Sequence, residues 1–145
     1  MRPEIFALIT AIAWGVGGFF EKRGLSIGNL TPQVGITIRT AVALLILGAV
    51  SFPHWKSIPE AGPRALLLLV IGGGVVAGSI GMLSFYTALR GASSLTQVMP
   101  IAFTSPLFSA IVGLIFQTEK LTWQTGLGMV LTIAGIAILT TAPSH

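Results

Sequence analysis

Glutamates at positions 4, 21, 60 and 119 are the only acidic side chains in this 145-residue chain, and aspartate and cysteine are absent. General acid–base and metal-assisted chemistry need titratable or ligating groups that converge on one place. Here His54 falls in a loop, His145 is the last residue, and no acid/base pair recurs at helical spacing. The sequence therefore reads as a non-enzyme, with no metal and no cofactor expected. What remains is a sparse set of polar and basic side chains set in apolar runs, suited to holding a ligand. Trp14, Arg39, Tyr86, Gln97, Thr104 and Ser105 are the members that stand out.

Arg39 lies two turns into an apolar run that follows Pro32. An arginine at the centre of a spanning helix costs ~2.5–3.5 kcal/mol on insertion scales, less where it snorkels. Seven residues past Pro32 is about 10 Å of helix, so both a headgroup anchor and a charge in a cavity remain open. Gln97–Leu121 is a second irregularity, apolar enough to span yet holding Pro100 and Pro106. Proline removes a backbone donor and crowds the carbonyl four residues back. In hydrocarbon such breaks persist only against protein or a wet cavity. Gln97, Thr104 and Ser105 are placed to serve the exposed carbonyls.

Five apolar runs must position these groups. The chain is 53% hydrophobic and 8% charged, against about 25% charged in soluble domains, and its mean hydropathy is +0.91. This predicts an all-α polytopic membrane protein, residues 1–145 forming one transmembrane domain. The helices are expected near 3–20, 33–52, 65–89, 95–116 and 123–142. The apolar run continues past Ala11-Ile12-Ala13, so the first helix reads as retained and not as a cleaved signal. Glu21-Lys22-Arg23 is expected to end it, with a polar link over Gly24–Thr31. Pro53–Arg64 reads as the one substantial loop, and Gln117–Thr122 as a tight turn. On this layout every glutamate falls at a helix end or in a loop.

The net charge of +4 is scattered one or two residues per loop, so no nucleic-acid surface is expected. With the N-terminus inside, Arg2, Lys56, Arg64 and Lys120 face Lys22, Arg23 and Arg90 on the other side. Orientation normally follows a clear Lys/Arg excess, and four against three is hardly one. A misplaced loop boundary would explain the balance. So would a chain that inserts both ways and pairs with itself antiparallel, as transporters built on inverted repeats do within one chain. Small-residue ladders, Gly74-x-x-x-Gly78 in helix 3 among them, allow close helix approach.

Read in order, several segments resemble one five-helix repeat of the drug/metabolite transporter superfamily, of the EamA type. They are Trp14-Gly15 with Phe19 and Lys22, Arg39 opening RTAVALLIL, and Tyr86-Thr87-Ala88-Leu89 leading into helix 4. Pro100 and Pro106, Glu119-Lys120-Leu121, and a last helix with Gly126, Gly128 and Gly135 follow. Gly128 and Gly135 are also similar to the seven-spaced glycine pair of the small multidrug transporters, where it supports antiparallel pairing. Packing inside one subunit would use the same residues. Those transporters carry a mid-helix-1 glutamate, whereas Leu8-Ile9-Thr10-Ala11-Ile12 stands here, so their cation/proton site does not carry over.

The resemblance implies transport of small organic solutes or metabolites by alternating access, as an antiparallel homodimer in a prokaryotic cell membrane, with lipid and solute as further partners. The implied pathway is Trp14, Lys22, Arg39, Tyr86, Gln97, Thr104 and Ser105, with Pro100 and Pro106 as hinge. Gly74, Gly78, Gly128 and Gly135 are the implied packing or dimer positions. With no acid expected inside, neutral, zwitterionic or anionic solutes should suit the cavity better than cations. A heteromeric exporter subunit, a lipid-linked-sugar flippase subunit and a non-transporting scaffold remain open alternatives.

Overall fold

The computed structural model describes residues 2–117 and 122–141. Glu119-Lys120-Leu121, the remainder of the expected turn before it, and residues 142–145 with His145 lie outside the described residues. Five helices among the described residues are long and apolar enough to cross a membrane: Pro3–Ile27, Pro32–Ser57, Pro59–Gly91, Leu95–Ile115 and Trp123–Thr141. The protein is a multi-pass, all-helical integral membrane protein. Its large apolar side chains lie mostly on the outside, Leu44, Leu45 and Leu68 being at least 70% exposed. In water that surface would be untenable; in lipid it is the ordinary solvent-facing surface, and the helices associate by close packing and polar contacts. The chain divides into two compact units, Met1–Gly91 and Ala92–His145.

In the first unit, α1 (Pro3–Ile27) opens with Pro3 in its first turn, where a missing donor costs nothing. It does not stop at Phe20. Glu21-Lys22-Arg23 continue the helix to Ile27, and the link to α2 (Pro32–Ser51) is correspondingly short. The charged triplet is tolerated because Glu21 and Lys22 find partners on α2 and the third span. Thr31 caps α2, its side-chain oxygen accepting from the Val34 amide at 3.4 Å. Asn29 takes the positive φ, 46°, that turns the chain between the helices.

The expected loop Pro53–Arg64 is wound almost throughout. It holds 3₁₀ turns at Phe52–Ser57 and Pro59–Ala61, and Gly62 takes φ +77° before α3 (Gly62–Leu68). Trp55 Nε1 donates to Ser51 Oγ at 2.9 Å there. The third span then changes winding. Leu69–Gly81 is a π-helix and Met82–Gly91, α4, returns to α geometry. Sustained π winding is rare, and the glycines explain why it fits here. A Cβ on Gly78 would stand 2.9 Å from the Gly73 carbonyl oxygen, five residues back. Ser79 Oγ likewise donates to Gly74 O at 3.0 Å across five residues. Gly74 and Gly78 thus serve the winding of their own helix; no other helix comes within 4 Å of a Cβ at either.

In the second unit the expected single helix 95–116 is two. α5 (Leu95–Ala102) and α6 (Ser105–Ile115) are separated at Phe103–Thr104. Pro100 lies inside α5, while Pro106 sits in the first turn of α6, the position proline favours. α7 (Trp123–Thr141) packs on α5. Its partly covered positions are Gly126, Met129, Ile136 and Thr140, one helical face. Gly128 and Gly135 lie off that face, exposed, and a Cβ on either would meet nothing within 4 Å. Packing within the unit therefore does not use them.

Candidate functional site

The polar side chains of the first unit gather where α1, α2 and α4 meet. α2 turns a stripe of Pro32, Gly35, Ile36, Arg39 and Ala43 inward, the i, i+3, i+4, i+7 spacing of one face. α4 supplies Tyr86 and Leu89, exposed by 2% and 1%, and α1 supplies Leu25 at 2%. Gly35 is what lets them close. A Cβ there would stand 2.5 Å from Leu25 Cδ2 and 3.1 Å from two atoms of the Tyr86 ring.

One turn of α1 before Leu25, Glu21 forms an ion pair with Arg39, Oε1 to Nε at 2.8 Å. The Tyr86 hydroxyl hydrogen-bonds the same carboxylate. Glu21 is thus held by groups from two other helices. This corrects the expectation that all glutamates sit at helix ends or in loops: Glu21 lies inside a spanning helix, about 9 Å of helix before its end at Ile27. The preference against cations, argued from a cavity without an acid, loses its premise with it. The spacing of Trp14, Gly18, Glu21 and Leu25, i, i+4, i+7 and i+11, was the available signal. Gly18 and Leu25 are indeed buried on that stripe.

Lys22 and Arg90 serve the same end differently. Lys22 Nζ donates to the Leu89 carbonyl at 3.1 Å, a cation at the negative end of α4. Arg90 Nη2 donates to Asn29 Oδ1 at 2.8 Å, tying the end of α4 to the α1–α2 turn. Trp14 stands seven residues before Glu21, about 10 Å along the same face of α1, and is 54% exposed. The structure therefore brings Lys22, Arg39 and Tyr86 together and adds Glu21, Gly35 and Asn29.

Gln97, Thr104 and Ser105 belong to the second unit. Gln97 Oε1 accepts from Ser93 Oγ at 3.0 Å, one turn before it. Thr104 Oγ1 donates back to the Ile101 carbonyl at 2.7 Å, serving a carbonyl at the helix interruption. The Ser105 carbonyl accepts from Ser109 Oγ at 3.1 Å. These bonds close the polar groups of α5 and α6 locally, as hydrocarbon requires.

The arrangement offers a charged pair within spanning helices, an interrupted helix, and an apolar exterior. Such features mark solute pathways in membrane proteins. Known proteins agree. An uncharacterized protein of Methanocaldococcus jannaschii is 29% identical over 136 residues, 93% of each chain. An uncharacterized transporter in a cobO 3′ region of a Sinorhizobium species is 27% identical over 138 residues, 94% of each. An uncharacterized transporter of Archaeoglobus fulgidus is 30% identical over 139 residues, 95% of this chain but 46% of the longer relative. No solved structure matches. The EamA-like transporter family model matches residues 1–141, nearly the full sequence and all five candidate spans, and the chain belongs to that family.

Proposed function

We propose that this protein moves small organic solutes or metabolites across a prokaryotic cell membrane by alternating access, as an antiparallel homodimer. The observation that carries the reading is the family match over residues 1–141. The longer relative, of which this chain covers 46%, has room for a second unit of this size in one chain, and a second copy would supply the same here. The balanced distribution of basic residues supports insertion in both orientations. Glu21, Arg39 and Tyr86 handle the solute, with Trp14 on the same face of α1. Lys22 holds the end of α4 in place. Pro100 and Pro106 with Gln97, Thr104 and Ser105 form the wall that moves.

Purified protein in liposomes loaded with amino acids, nucleosides and organic acids should release particular solutes faster than protein-free liposomes, read by mass spectrometry. Arg39→Ala should abolish that release. Release of no solute, or of lipophilic cations alone, overturns the reading.

A further inference from the structure

Arg39 is incompletely used. A guanidinium has five N–H donors, yet its ion pair with Glu21 runs through Nε. Its terminal nitrogens meet no acceptor among the described residues. The Arg39 side chain is also the open member of the cluster, 37% exposed against 21% for Glu21 and 2% for Tyr86. Desolvated donors of this kind need partners, and the planar fork of a guanidinium matches carboxylate or phosphate oxygens two at a time.

The surrounding charge points the same way. Lys22 and Arg23 on α1, Arg39 on α2 and Arg90 on α4 lie toward one end of this unit, against the single carboxylate of Glu21. We propose that Arg39 is an oxyanion-binding site, and that Glu21 is a built-in competitor which occupies part of it until a ligand's carboxylate or phosphate takes the guanidinium. Tyr86 gives the displaced Glu21 carboxylate a remaining hydrogen bond, so release from Arg39 does not leave it bare. The bound group is the oxyanion of a soluble metabolite or of a lipid headgroup. As a statement of substrate class this rests on the transport reading; as a binding site it does not.

A binding measurement separates the two. The protein, ¹⁵N-labelled at arginine, is placed in phosphatidylcholine nanodiscs and titrated with benzoate, then with inorganic phosphate. A parallel series replaces phosphatidylcholine stepwise by phosphatidylglycerol. The Arg39 Nε–H resonance, assigned by its loss in Arg39→Lys, should shift saturably with an anion. Response to benzoate or phosphate identifies a soluble oxyanion, and response to phosphatidylglycerol alone identifies a headgroup; either supports the site.

Glu21→Gln removes the competitor's charge and should tighten anion binding about tenfold. A static clasp predicts the opposite, since losing the pair would loosen Arg39 and weaken any binding. No saturable shift in the wild type under either series, or weaker binding in a folded Glu21→Gln, overturns the proposal. If Glu21→Gln does not fold, the wild-type titration still decides. Anion binding without solute release in liposomes would leave the site standing and the transport reading refuted.

Discussion

Gly35 shows how a residue without chemistry decides where chemistry sits. Leu25 and the Tyr86 ring fill the space its side chain would need, so Tyr86 can reach Glu21 only while position 35 lacks a Cβ. Gly35→Ala should cost about 1–3 kcal/mol through overpacking and lower the thermal midpoint in detergent. An unchanged midpoint would show that α2 and α4 do not approach this closely. Arg39 was readable in the sequence because an arginine in an apolar run is costly and conspicuous. Its partner was not. Glu21-Lys22-Arg23 looks like an interface triplet when read locally, and only contacts from α2 and α4 show how two of its charges are kept inside the span. Sequence pattern reports what each position prefers alone, and an ion pair between helices is a property of neither position.

At the scale of elements, spans were legible because length and hydropathy suffice to define them. Their interiors were less so. The prolines announced an irregular fourth span, but not that the interruption falls at Phe103–Thr104, between them. Pro106 has no N–H to offer the carbonyl four residues back, at Ala102, and Thr104 turns its hydroxyl to Ile101. Pro106→Ala restores the missing donor and should fuse α5 to α6. Hydrogen–deuterium exchange over residues 99–108 should then slow about tenfold or more, each 1.4 kcal/mol of added local stability giving one such factor. Equal exchange in both proteins would mean the interruption has another cause. Solute release should slow with it, if this wall moves.

At the scale of the molecule, the exposed apolar faces need lipid or another chain against them, and Gly128 and Gly135 lie on one such face of α7. Reporters fused after the last residue should be active on both sides of the membrane, one requiring the cytoplasm and the other the opposite compartment. Activity on one side only would remove the antiparallel dimer while leaving the family assignment untouched. The π winding of Leu69–Gly81 has a consequence that reaches past its own segment. An α-helix advances about 100° per residue, and a helix closed through five residues advances less. Over this stretch the two windings finish at different angles about the axis. Tyr86 and Leu89 lie beyond it, so the direction in which they point is set upstream, as the hand of a clock is set by its gearing. Rewind the stretch to α geometry, and Tyr86 turns away from Glu21 with no contact at Tyr86 itself having been altered.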